Sequence, residues 1–326
     1  MAEKFFVQAI NDAIVEEMRH DESVFIMGED IRKAVYGATA NLLEEFGESR
    51  VIDTPLSENG FFGAAIGASL VGMRPIVETL TSFMWVAMDQ LISQAAKMRY
   101  MFGGQATLPV VFRATMFYGG GSAAHHSDRS YPMFMNMPGL KIIVPSNPAD
   151  MKGLLKTAIR DDDPCIVFED GTLAGARGDV PDKNSQGDDY LVPFGQANIS
   201  RSGSDCTVVA IGGMVDHSLA AAKELEAAGV SVEVVDPRTL VPLDRSTILD
   251  SVEKTGRLVI VDPATRVCSA ASEIASVVAQ EGFWSLQAPI MKVASEQVHV
   301  PYSPALEKLV YPTKDKIVAA VQQTLE

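Results

Sequence analysis

The chain has 326 residues, 47 % of them hydrophobic and 21 % charged, with a formal net charge of −15. That length admits two domains of ordinary size, and the composition is that of a globular chain, not a disordered one. The acid excess disfavours nucleic acid, whose phosphates need Lys and Arg, and would favour a basic partner surface. No apolar run reaches the roughly 18 residues of a membrane span. The start, MAEKFFVQAIND, has neither an apolar signal core nor an Arg-rich transit pattern, so a cytoplasmic location is expected. Three widely spaced cysteines, Cys165, Cys206 and Cys268, argue against a disulfide framework. Cys165 and Cys206 lie in apolar, strand-like runs and are expected as inert core residues.

Residues 5–19 place Phe6, Ala9, Ile10, Ala13 and Ile14 at helical spacing and predict an amphipathic helix. Residues 24–27 read as a short buried strand running into Gly28-Glu29-Asp30. A strand that ends in glycine and acids suits the ligand-facing edge of an open parallel sheet. Residues 32–37 read as a loop and 41–46 as a helix. The stretch 51–67, VIDTPLSENGFFGAAIG, is the most informative. Val51 and Ile52 end a strand. Asp53-Thr54-Pro55 turns, because proline fixes φ and cannot donate to a ladder. A helix then enters at Leu56-Ser57-Glu58. Gly60, Gly63 and Gly67, with Ala64, Ala65 and Ala68, weaken an isolated helix but let its backbone lie close to another surface. Glu58 stands at the mouth of that helix beside Phe61, Phe62 and Ile66. Two readings are open: a desolvated carboxyl group that hands a proton to a ligand near neutral pH, or a solvated acid favoured by the helix dipole.

A strand is expected at 75–78, a long helix at about 84–99, and another strand at 110–112. Residues 115–129, TMFYGGGSAAHHSDR, follow. Three consecutive glycines make a loop whose backbone can approach a ligand closely. His125 and His126, two of the chain's five histidines, end it. The pair is open to metal ligation, although only Asp128 accompanies it at ligand spacing, to structural hydrogen bonding, or to chemistry. After a strand at 140–145, Asn147 reads as an N-cap with Pro148 at the first helical position. The helix 149–160 ends in Asp161-Asp162-Asp163, acids that oppose the dipole and need either a cation or solvent. A strand at 165–168 is the last of the first domain, and 170–190, rich in Gly, Asp and Pro, reads as linker or long loop. Strands at 207–211, 232–235, 258–261 and 291–294 alternate with helices at 215–228 and 270–280. Gly212-Gly213 lacks the rest of a dinucleotide fingerprint. The fold class expected is α/β, with two domains that are each a mainly parallel sheet flanked by helices. The division expected is 1–175, a linker at 176–190, and 191–326.

The segment DTPLSENGFFGAAIGASLVGMRPIVE at 53–78 resembles the signature of the β subunit of thiamine-diphosphate-dependent 2-oxo acid dehydrogenases. These are the decarboxylating components of the pyruvate, branched-chain and acetoin dehydrogenase complexes. MDQLISQAAKMRY at 88–100, HHSD at 125–128, PGLKIIVPSNPADMKGLLKTAIRDDDP at 138–164 and VVDPRTLVPLD at 234–244 fit the same pattern, so the resemblance runs over nearly the whole chain. It implies a transketolase-like pyrimidine-binding domain followed by a transketolase C-terminal-like domain. It makes Glu58 the carboxyl group set against the cofactor's aminopyrimidine, Glu29 its support, and Phe83 the aromatic face that holds the ring. It places His126 in the substrate channel, at the 2-oxo acid carboxylate or the acyl group leaving for a lipoyl carrier. It offers Val110, Ala158, Ile159, Asp161 and Asp163 as ligands of a structural potassium ion. The second domain is implied to bind no cofactor, to stabilise subunit association and to dock on an acyltransferase core.

The family's GDG motif for the Mg²⁺ that holds the diphosphate is absent from this chain. The resemblance therefore implies a separate α subunit carrying that half of the site, in an α₂β₂ heterotetramer. The expected activity is oxidative decarboxylation of a 2-oxo acid with reductive acylation of a lipoyl carrier. His125 and Asp128, where many relatives carry Gln or another polar residue, the segment 262–268, and His299 depart from the pattern. The altered 125–129 and 262–268 segments keep open a thiamine-dependent acyloin or ketol carboligase with a non-lipoyl acceptor. A third reading is a scaffold subunit that has lost the cofactor.

Overall fold

The computed structural model describes residues 1–183, 187 and 189–326. The chain divides into two units: Met1–Phe117 with Met133–Phe194, and Tyr118–Pro132 with Gly195–Glu326. The glycine–histidine loop thus belongs to the second unit, although it lies in the first half of the sequence.

In the first unit, the strands Lys141–Ile143, Cys165–Asp170, Val111–Met116, Arg74–Leu80, Val24–Gly28 and Val51–Asp53 pair in that order, each parallel to the next. Val24–Gly28 and Cys165–Asp170 are buried along their whole length, as strands covered on both faces must be. The helices Phe6–His20 and Pro148–Arg160 cover one face, with Phe6, Ile10, Ile14, Leu154, Leu155 and Ile159 in a shared core. Asn147 caps the second helix as expected: its Oδ1 accepts from the Asp150 amide at 2.9 Å.

Two expectations change. The long helix at 84–99 is three pieces: a 3₁₀ turn Thr81–Trp85, a widened π-type segment Asp89–Ala95, and an α-helical turn Ala96–Met101. The π-type segment is where the glycine-rich helix Glu58–Leu70 makes its close approach, since a Cβ on Gly63 would come within 3.3 Å of Gln90 Oε1. A Cβ on Gly67 of the same helix would meet, beyond its own helix and among the described residues, no atom within 4 Å. The expected linker is also partly structured. Arg177–Val180 pairs antiparallel with Ala2–Phe5, and the Arg177 guanidinium lies 4.5 Å from the Phe5 ring. Asn184, Ser185, Gln186 and Asp188 of that linker lie outside the described residues.

The second unit has a sheet ordered Met291–Ser295, Leu258–Thr265, Cys206–Ala210, Val232–Asp236, Asn198–Arg201, parallel except for the last strand. The helices Met214–Ala227 and Lys314–Gln323 contribute Ala221, Ala222, Leu225, Ile317 and Val321 to its core. Cys165 and Cys206 are buried and Cys268 is exposed. Burial pushes the Cys206 thiol up to about 11, which fits an inert core residue.

Candidate functional site

The carboxyl ends of three neighbouring strands meet at one edge of the first sheet, the usual ligand side of a parallel sheet. Gly28 ends its strand against the Glu78 carbonyl, which a Cβ at that position would approach to 2.5 Å. Thr54 N donates to the Gly28 carbonyl at 2.9 Å, and Arg32 N donates to Asp53 Oδ1 at 2.8 Å. These bonds tie the two strand ends together. Between them the chain turns sharply: Asp30 has φ +55°, the left-handed region that non-glycine residues seldom occupy.

Glu29 is presented by this turn. Its Oε1 is buried and has no hydrogen-bond partner within the chain. Burial, then the charges of Glu58 and Asp30, raise its carboxyl group to about 7. Thr54 Oγ1 is a second buried polar atom without a partner. Glu58 is the first residue of its helix and half-buried, with Phe61 and Phe62 buried behind it. Phe62 stacks on Phe112, with ring centroids 4.9 Å apart and planes at 14°. Phe83 is half-buried in the 3₁₀ turn that follows the strand Arg74–Leu80. The structure thus brings Glu29, Glu58 and Phe83 to the same sheet edge.

The raised pKa of Glu29 makes stability depend on pH with a definite sign. A folded value of about 7 against an ordinary 4.5 means that folding takes up a proton between those values. The stability contribution is complete below about 4.5 and is lost as pH rises to about 7. Denaturant unfolding at pH 5 and pH 7.5 is therefore expected to show a fall with pH that Glu29→Gln lacks. Equal pH dependence in the two proteins would contradict this assignment.

Directly beneath the edge lies an ion triad. Arg113 is 1 % exposed, Glu78 6 % and Glu169 3 %. Arg113 Nε and Nη2 donate to Glu169 Oε1 and Oε2 at 2.6 and 3.0 Å, and Nη1 donates to Glu78 Oε2 at 2.5 Å. Burial raises the Glu78 carboxyl group and Arg113 opposes that rise. The triad ties together three parallel strands at the level where they release the site residues.

His126 lies in the second unit, at the end of the short helical turn Ala123–His126, and is half-exposed. The rings of His125 and His126 meet edge-on, 5.6 Å apart. Among the described residues no group of three or more His, Cys, Asp or Glu is placed to hold a metal ion.

The acidic turn 161–163 finds its counter-charge in the chain itself. Lys141 Nζ donates to both Asp161 carboxylate oxygens at 2.6 Å and reaches Asp163 Oδ2 at 3.4 Å. Arg74 Nη1 donates to the carbonyls of Ile159 and Asp161 at 3.0 Å each, and Arg99 pairs with Asp163. The carbonyls of Val110 and Ala158 accept from the amides of Cys165 and Asp161 at 3.0 and 3.3 Å. Each oxygen that the resemblance assigns to potassium thus accepts a hydrogen bond from a donor of the chain.

The transketolase pyrimidine-binding domain matches residues 5–175, and the transketolase C-terminal domain matches residues 195–317. The acetoin:2,6-dichlorophenolindophenol oxidoreductase subunit beta of Bacillus subtilis is 45 % identical, over 97 % of this chain and 96 % of its own. The pyruvate dehydrogenase E1 component subunit beta of Rhizobium meliloti is 44 % identical, over 97 % of this chain and 68 % of its own. The chain belongs to the family of E1 β subunits of 2-oxo acid dehydrogenases. A solved split-gene transketolase, described as an inactive β4 tetramer, superposes with a TM-score of 0.79 at 26 % identity, covering 98 % of this chain and 97 % of its own. The transketolase-like fold is thereby shown for both domains, and this E1 family is thiamine-diphosphate dependent.

Sequence reasoning missed the E1 β triad of Glu78, Arg113 and Glu169. Its signal was present in PIVETL, VVFRATM and CIVFED, where one charge in each of the first two and two in the third follow an apolar run near the same end of neighbouring strands. It also missed Glu307, whose contacts with the glycine loop span more than 180 positions of sequence and leave no local pattern.

Proposed function

We propose that this chain is the β half of a thiamine-diphosphate-dependent decarboxylating component, completed by an α subunit in an α₂β₂ assembly. The complex would oxidatively decarboxylate a 2-oxo acid and pass the acyl group to a lipoyl carrier on an acyltransferase core. The carrying observation is the carboxylate pair Glu29 and Glu58 at the strand-end edge, with Glu29 Oε1 buried and partnerless. An aminopyrimidine needs a carboxyl group that exchanges a proton with a ring nitrogen and polar atoms that receive its amino group. Glu58, Glu29 Oε1 and Thr54 Oγ1 are such atoms, so these residues fit that half of the cofactor.

Bound thiamine diphosphate supplies the electron sink that lets the bond from the carbonyl carbon to the carboxylate break. Glu58 carries the proton exchanged with the pyrimidine nitrogen, a general acid–base role. Glu29, itself charged only near and above neutrality, limits how much negative charge gathers beside Glu58. Phe83 offers an aromatic face for orientation. His126 donates to the substrate carboxylate or to the acyl group in transit. The absence of GDG leaves the Mg²⁺ ligands to the α subunit. The activities for which the relatives are named, an acetoin oxidoreductase and a pyruvate dehydrogenase, favour this reading over carboligation.

Calorimetry with thiamine diphosphate and Mg²⁺ tests the split site. Binding is expected only when the chain is mixed with its α partner. Binding of equal strength to the chain alone would overturn the division of the site between two subunits.

A further inference from the structure

The loop that bears the histidines is held from both ends by the second unit. Gly119 and Gly121 have φ of +76° and +73°, left-handed conformations that point alternate amides toward one spot. Runs of this kind form an anion-binding hollow. Here the anion belongs to the chain. Glu307, 1 % exposed, accepts from Gly119 N through Oε1 at 2.7 Å and from Gly121 N through Oε2 at 2.9 Å. Tyr311 Oη donates to Glu307 Oε1 at 3.3 Å. Beyond the histidines, the Arg129 guanidinium lies 4.4 Å from the Tyr118 ring and 4.3 Å from the Tyr311 ring. Tyr131 Oη donates to the buried Asp262. Asp262 is itself fixed by the amides of Ala264 and Ala271 at 2.8 and 2.9 Å.

His125 and His126 therefore sit on a short turn strung between two anchors. From the geometry we infer that Glu307 is the positioning residue of this loop, a role for the C-terminal domain in setting the histidines and not only in association. Both oxygens of one carboxylate hold two alternate amides, so Glu307 fixes where the following turn begins and with it the place of His126. The bonds are charge-assisted, and removing the carboxylate leaves two inward-facing N–H groups without a partner. The inference rests on the reading of His126 as substrate-facing.

The test uses the chain assembled with its α partner and three variants: Glu307→Ala, Glu307→Gln and His126→Ala. Hydrogen exchange of the 118–127 segment reports the clamp, and steady-state turnover of the 2-oxo acid reports its purpose. Glu307→Ala is expected to speed exchange at 119–121 at least tenfold and to lower kcat/KM about tenfold or more. Affinity for thiamine diphosphate should stay within about twofold, since the pyrimidine-facing residues belong to the other unit. Glu307→Gln, which keeps one acceptor oxygen, should fall between. Unchanged exchange in Glu307→Ala would overturn the clamp. So would a loss of activity that merely follows lost cofactor binding or lost folded protein. Full activity of His126→Ala beside faster exchange in Glu307→Ala would remove the premise about His126 while leaving the clamp standing, so the two failures are distinguishable.

Discussion

Glu58→Gln is expected to reduce turnover of the 2-oxo acid by about 100-fold or more, in the range that a lost general acid–base group costs. The fold and the assembly with the α partner should survive, because the substitution is nearly isosteric at a half-buried helix start. Glutamine keeps a hydrogen-bonding amide at the position but cannot exchange a proton with a pyrimidine nitrogen. The loss should appear in kcat more than in KM, since the interaction removed belongs to the reacting state. Steady-state kinetics on the purified complex, with size-exclusion chromatography to confirm assembly, decide the matter. Turnover within about threefold of the unsubstituted enzyme would end the assignment of Glu58.

Arg113→Met is expected to destabilise the first unit by about 3–5 kcal/mol, the usual cost of removing one partner from a buried ion pair. The substitution strands Glu78 and Glu169 in a site where neither is more than 6 % exposed. For a unit of this size that is a fall of roughly 10 °C in melting temperature. The triple variant Arg113→Met, Glu78→Gln, Glu169→Gln should recover much of the loss, because no uncompensated charge is left inside. Scanning calorimetry on the three proteins checks both halves. A change below about 1 kcal/mol in Arg113→Met would show that the triad adds little to stability.

The fold was legible where local patterns dominate. Short apolar strands alternating with helices announced parallel sheets, and the Asn147-Pro148 pair marked a helix start that the structure confirms at the Asp150 amide. In the candidate site, the motif around Glu58 places that carboxyl group at the start of its helix, where the structure has it. Legibility failed where the cause lies in distant sequence. The widened segment at Asp89–Ala95 lies where Gly63 of another helix packs close to Gln90, a contact that no periodicity in 84–99 records. The acidic turn 161–163 read as short of a cation because Arg74, Lys141 and Arg99 come from other elements. Glu29 read as an accessory acid, and only its burial beside Glu58 and Asp30 makes it the carboxyl group poised near neutrality.

The excursion of residues 118–132 into the second unit has a consequence for biosynthesis. A ribosome finishes the first sheet and the histidine loop well before it reaches Glu307 and Tyr311. At ordinary rates of translation that interval is on the order of ten seconds. Until then, the Gly119 and Gly121 amides lack their carboxylate and Arg129 lacks one of its two rings. A chain released early, or cut after Phe194, would keep the strand-end acids yet have no means of setting the loop. The Glu307–Tyr311 segment thus acts as a late check on the histidine loop, and recombining the two halves as independent cassettes should fail unless Glu307, Tyr311 and Asp262 travel with the loop they hold.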